Sequence, residues 1–166
     1  MRTYVSQPQS ARAQGTAFHL LDLLADQTRM QCVSHMKPVR CYDGQVIVQK
    51  GTVGTALYMV GEGSVKVIIS NLTDGEIVQE LKVGALFGEI AFVAACSYMF
   101  QDAGLGTRLE AVGQQLRTCD VQAVGDSLVW ELHVNDFVQV VSRDIASNWM
   151  AIEVLAKSSQ VIHGPC

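Results

Sequence analysis

From Val39 onward the apolar residues of this chain change their period from about 3.6 to 2, with glycines at short intervals between them. That alternation constrains the fold more than any other feature. Val39 to Cys41 and Val46 to Val48 flank Tyr42-Asp43-Gly44-Gln45, a turn in which glycine supplies a positive φ. Gly51-Thr52-Val53-Gly54 is a second turn. Ala56 to Val60 reads as a strand, Gly61-Glu62-Gly63 as a tight hairpin turn, and Ser64 to Ser70 as the returning strand. Asn71 to Gly75 turns again into a strand from Glu76 to Leu81. Short strands at near-regular spacing indicate a small sandwich or barrel. On this reading Gly44, Gly51, Gly54, Gly61 and Gly63 serve turn geometry and not a ligand.

Helical patterns lie at both ends of the chain. Thr16 reads as a cap, and Phe18, Leu20, Leu21, Leu23 and Leu24 form the apolar stripe of an amphipathic helix. A second short helix is expected over Thr28 to Met36, with Pro38 as the stop. Near the other end, Asn135 or Asp136 is expected to cap a helix that starts near Phe137 and runs through Val141. Asp144 to Ala156 is a further helix, with Ile145, Trp149, Ile152 and Leu155 on or near one stripe. These segments pack against the strands. Residues 1–15 read as a flexible leader, 16–158 as one domain, and 159–166 as a tail.

The chemistry concentrates in Gly84-Ala85-Leu86-Phe87-Gly88-Glu89-Ile90-Ala91-Phe92. A short apolar strand runs into Gly88, where a missing Cβ lets the backbone approach a ligand. A helix opens at Glu89, and the amides of a first turn point outward as a ready anion site. A carboxylate in that turn would repel a phosphate, so Glu89 is read as an acceptor for sugar hydroxyls. Arg117 opens a strand through Thr118, Cys119, Asp120 and Val121, and a guanidinium grips two phosphate oxygens at once. Amides, a carboxylate and an arginine together suit a sugar-phosphate.

The ordered series Gly44, Ile47, Gly51, Gly54, Tyr58, Val60, Gly63, Val65, Val67, Leu81, Gly84, Phe87, Gly88, Glu89 and Ala91 resembles the cyclic-nucleotide-binding domain. That family includes catabolite-activator-type regulators, cAMP- and cGMP-dependent kinase regulatory regions and cyclic-nucleotide-gated channels. The series resumes with Arg117, Thr118, Cys119, Val121, Ala123, Asp126, Trp130, Leu132 and Phe137. The resemblance implies a mainly β fold with flanking helices, a jelly-roll barrel with N-terminal helices and C-terminal lid helices. It implies a sensor that binds cAMP or cGMP through Phe87, Gly88, Glu89, Ile90, Ala91, Arg117, Thr118 and Cys119. Val65, Val67 and Leu86 would line the base and sugar, and Trp149 or Met150 would stack on the base as a lid. By the resemblance cAMP is the default ligand, while a hydroxyl at Thr118 suits the amino group of guanine.

One stretch departs from the family pattern. The separation of Glu89 from Arg117 is about three times the usual one, which marks an insertion at about 96–115. It is expected to be an extended loop with one helical turn, and to cover, reshape or block the pocket. Arg108, within it, rivals Arg117 for the phosphate; the gapless continuation after Arg117 favours Arg117. A second reading of the chain is therefore a ligand-free module for protein contact or dimerisation.

The totals exclude other classes. Net charge is −4 with no dense basic run, so no nucleic-acid footprint is present. No apolar run approaches the ~18 residues that span a bilayer, and the N-terminus lacks a signal peptide's apolar core. The roughly thirty residues after Phe137 are too few for a helix-turn-helix output. Five scattered cysteines without a CxxC pair read as reduced, mostly buried thiols in a cytoplasmic chain. His19, His35, His133 and His163 do not cluster at metal-ligand spacing, and no Ser/His/Asp or Cys/His set suggests an enzyme. Neither a metal nor a cofactor is expected. The expected partners are a cyclic nucleotide and an unidentified output protein, with self-association left open.

Overall fold

The computed structural model describes residues 20–71, 75–102 and 116–161. In chain order these form α1 (Asp26–Ser34), β1 (Lys37–Cys41), β2 (Val46–Val48), β3 (Ala56–Asn71), β4 (Gly75–Lys82) and β5 (Leu86–Phe87). There follow α2 (Glu89–Asp102), β6 (Asp120–His133), α3 (Val134–Ser142) and α4 (Trp149–Val161). The strands make one antiparallel sheet in the order β1-β6-β3-β4, with β2 added to β6 and β5 added to β3. The mainly β architecture with flanking helices is the expected one, although the sheet is open rather than closed. Among the described residues no helix is long and apolar enough to cross a membrane.

Two long strands carry the sheet, and one of them, β3, takes the place of the two short strands read from the sequence over Ala56 to Val60 and Ser64 to Ser70. β3 runs unbroken from Ala56 to Asn71 and pairs with β6 from Ala56↔His133 to Ile68↔Asp120. The expected hairpin at Gly61-Glu62-Gly63 is a bulge inside β3, seen as register shifts at Val60/Glu62 and Glu62/Ser64. Val124 to Ser127 likewise lies within β6, around Gly125 with its positive φ. Glycine weakens a strand and marks a bulge as readily as a turn, so local sequence cannot separate the two. The Ser127 hydroxyl holds the irregularity by donating to Ser64 O at 2.9 Å. Gly44, Gly51 and Gly63 have positive φ, as turn or bulge glycines should. Gly61 does not: a Cβ there would lie 2.6 Å from the Trp130 indole nitrogen, so it is a close-approach position.

The alternation of β3 and β6 feeds two apolar clusters. One contains Val60, Val65, Leu81, Phe87, Val121, Ala123 and Val129, on the sheet's own inner face. The other joins Leu57, Leu86 and Leu132 to the helices through Leu20, Phe92, Phe137, Val141, Ile152 and Leu155.

Helix boundaries differ from expectation for local reasons. α3 begins at Val134, and its cap is His133, whose ring nitrogen accepts from Asn135 N–H at 3.2 Å. α4 begins at Trp149, not Asp144, because the Asp144 carboxylate accepts from Ser147 N–H at 3.1 Å and turns the chain there. Asn148 then joins the two ends of the fold. Its side chain is fully buried and accepts from Ala25 N–H at 3.1 Å. It also donates to Thr28 Oγ1 at 3.0 Å and to Asp144 O at 2.7 Å. Asn148→Ala would strand these partners away from water. It is expected to lower unfolding stability by about 1–3 kcal/mol, measured by urea denaturation.

The insertion is partly helix. α2 continues through Asp102, and its Phe92, Val93, Cys96 and Phe100 are buried. The Ser97 hydroxyl donates to Leu155 O of α4 at 2.5 Å. The first part of the expected loop is thus a packed helix, since this spacing gives it an apolar face. Arg108 and the rest of the insertion lie outside the described residues, as do Thr16 and the leader.

Candidate functional site: a cleft over Arg117

β5 delivers the chain to Gly88, whose φ of +82° turns it sharply into α2. The first helical bond runs from Phe92 N–H to Gly88 O at 3.3 Å, so the amides from Glu89 to Ala91 lie ahead of the helix's own hydrogen bonds. Arg117 stands just before β6. Its backbone is held at both groups: its N–H donates to Thr52 O and its carbonyl accepts from Gly51 N–H, each at 2.8 Å.

Arg117 is 7% exposed, and its side chain reaches under the start of α2. Nη1 donates to Gly88 O at 2.7 Å and Nη2 to Ala56 O at 2.8 Å. A guanidinium has five N–H donors, so these two bonds leave capacity for an anion. Among the described residues Arg117 makes no ion pair within 4 Å. Burial lowers its pKa from the ordinary arginine value, and Tyr58, Cys119, Glu89 and Glu131 act in the opposite sense.

Two glycines make room for this side chain. A Cβ on Gly88 would sit 2.6 Å from Nη1 of Arg117. A Cβ on Gly54 would sit 2.3 Å from the Ala91 Cβ and 2.5 Å from Arg117 Nε. Gly54 has no positive φ. Its assignment to turn geometry is therefore corrected: it is glycine because helix and guanidinium both crowd it.

Above the guanidinium opens a cleft of about 190 Å³. One wall is Phe87, Gly88, Glu89, Ile90 and Ala91; another is Arg117, Thr118 and Cys119. Val67 and Leu86 also line it. All ten are residues that the sequence singles out for the ligand. Val65 is fully buried, and Trp149 and Met150 are 58% and 63% exposed; none of these three lines the cleft. The remaining lining comes from Val48, Ile69, Gln79, Leu81 and Val121. Val121 and Gln79 are the cross-strand partners of Val67, and Ile69 lies two residues beyond it on the same face. Strand register, once known, would have extended Val67 to these neighbours.

The cleft pairs a polar floor with an apolar wall. Burial raises the Cys119 thiol above its ordinary pKa, so it lines the cleft as a neutral group. Cys32, Cys41 and Cys96 are buried free thiols, and burial lifts Cys32 to about 11. Among the described residues no group of three or more His, Cys, Asp or Glu is placed to hold a metal ion.

Comparison with known proteins follows the same lines. The profile of the cyclic nucleotide-binding domain matches residues 38–103. A cGMP-dependent protein kinase, egl-4 of Caenorhabditis elegans, is 26% identical over 123 residues, which are 74% of this chain and 13% of the kinase. The chain thus spans a small fraction of the curated relatives it matches. Among solved structures, the catabolite activator protein of Thermus thermophilus superposes with a TM-score of 0.56 at 22% identity. That match covers 86% of this chain and 60% of the other. A cyclic nucleotide-binding-like protein from Brucella abortus superposes with a TM-score of 0.54 at 12% identity, covering 74% and 90%. At these identities the structural matches speak for the fold. Residues 38–103, which include the short strand, the glycine and the helix start, are thus similar to the cyclic nucleotide-binding domain, and the chain shares the fold of the catabolite activator protein.

Proposed function

We propose that the cleft binds a cyclic nucleotide and that the domain is a sensor. The observation that carries this reading is the Arg117 guanidinium, buried at the cleft floor beside the first-turn amides of α2. The phosphate would lie between those amides and the remaining donors of Arg117. Glu89 would accept from the ribose 2′-hydroxyl. Val67 and Leu86, with Ile69 and Val121, would pack the base and sugar. Thr118, exposed beside the arginine, offers a hydroxyl to a guanine amino group, and the similar kinase is cGMP-dependent by name. Those two points favour cGMP over cAMP as the ligand.

In this reading the domain signals and does not catalyse. The charged residues of the cleft lining are Glu89 and Arg117, which suit recognition more than acid–base work. Ligand drawn onto Gly88 and Glu89 would bias α2, and through Ser97 and Leu155 would bias α4 toward an output partner.

Calorimetric titration with cAMP, cGMP and cyclic di-GMP tests the reading, with Arg117→Ala as control. Loss of a charge-assisted contact costs about 1.5–3 kcal/mol, so the variant should bind at least about tenfold more weakly. A second reading, a ligand-free interaction module, draws on the two carbonyls that Arg117 already holds. No heat with any of the three nucleotides, and no thermal shift at millimolar ligand, would leave that second reading standing alone.

A further inference from the structure

Arg117 is tied to two carbonyls, but two points fix only a line; the plane of the guanidinium needs a third contact. Tyr58 supplies one. The Arg117 Cζ stands 5.8 Å from the centroid of the Tyr58 ring, within the range of a cation–π contact. The tyrosine is itself held on two sides. It faces Phe87 of β5 and Glu131 of β6 in register. Its ring stacks on Phe87 with centroids 5.1 Å apart and planes 14° apart. Its hydroxyl donates to Glu131 Oε1 at 3.1 Å. Ala56, whose carbonyl takes Nη2, lies two residues earlier on the same strand. Tyr58 is absent from the cleft lining, so an effect on a ligand passes through the arginine or through Phe87, and the Arg117→Lys background below separates the two.

We propose that Tyr58 is a positioning residue, which sets the plane of the Arg117 guanidinium toward an anion in the cleft. The Phe87 stack and the Glu131 hydrogen bond keep the ring still, and β3 thereby provides both a carbonyl and a platform for one side chain. The effect on ligand affinity rests on the reading of the cleft given above. The effect on the arginine itself does not.

The test compares Tyr58→Leu, which removes the platform, with Tyr58→Phe, which keeps it. Calorimetry uses whichever of cAMP and cGMP the wild type binds more tightly. Tyr58→Leu should weaken binding roughly 3- to 30-fold, and Tyr58→Phe by less than about threefold. In an Arg117→Lys background, where no planar group remains to orient, the leucine penalty should shrink to less than half of its logarithm. Equal losses in the two Tyr58 variants, or an undiminished loss in the Arg117→Lys background, would overturn the proposal. A separate readout needs no nucleotide. The NMR signal of the Arg117 Nε–H, assigned by its disappearance in Arg117→Lys, should move in Tyr58→Leu and hold its place in Tyr58→Phe. An unmoved signal in Tyr58→Leu refutes positioning. A wild type that binds neither nucleotide refutes the sensor reading instead, and the NMR comparison then decides the positioning alone. Should Tyr58→Leu not fold, Tyr58→Met takes its place in both measurements.

Discussion

If the cleft binds a cyclic nucleotide as proposed, Gly54→Val is expected to weaken that binding by roughly a hundredfold or more in Kd, and in any case to lower stability by about 1–3 kcal/mol. The backbone at Gly54 tolerates any residue, because its φ is not positive. The obstacle is space. Even the first carbon of a side chain would lie 2.3 Å from the Ala91 Cβ and 2.7 Å from the Arg117 Cζ. Valine adds two methyl groups to that contact. Either the start of α2 moves outward or the guanidinium leaves its two carbonyls. Both changes displace groups that, on the proposed reading, would hold the phosphate, so affinity should fall much further than stability. Titration beside a urea melt separates the two quantities. Binding within a factor of about three of wild type would mean that the geometry around Arg117 does not matter to the ligand.

The largest loss of stability is expected from Phe137→Ala. Phe137 is fully buried on α3 and meets the equally buried Phe92 of α2 edge to face, with centroids 5.3 Å apart. Removing it loses the transfer energy of the ring, the aromatic pair and the filling of the space between two helices. The expected cost is about 3–5 kcal/mol. For a chain of this size that lowers the melting temperature by roughly 10 °C or more. A loss under about 1 kcal/mol by urea denaturation would show that α3 does not depend on this contact.

Much of the site was readable from residue types alone. Gly88, Glu89 and Arg117 declare their chemistry through a missing Cβ, a carboxylate and a fixed cation, and the structure gathers them at one cleft. Two things were not legible. Gly54 and Gly61 look like turn glycines, because crowding by Ala91, Arg117 or Trp130 comes from residues remote in sequence. Trp149 and Met150 carry the right chemistry for a lid, but Asn148 and Asp144 start their helix later than its periodicity suggested. The bulges in β3 and β6 were hidden for a related reason. A glycine pair permits both a reversal and a bulge, and only the cross-strand partner decides between them.

The bulged ribbon of β3 and β6 has a consequence for how the molecule comes apart. Leu57 and Leu132 serve the cluster against the helices, while Val60, Val65, Val121 and Val129 serve the other. The same two strands therefore belong to both halves. Neither half has a private backbone on which to survive once the other is lost. The domain should melt in one cooperative transition, and a lesion among the helices should be felt at the cleft as a smaller population of intact molecules rather than as a weaker grip in each of them.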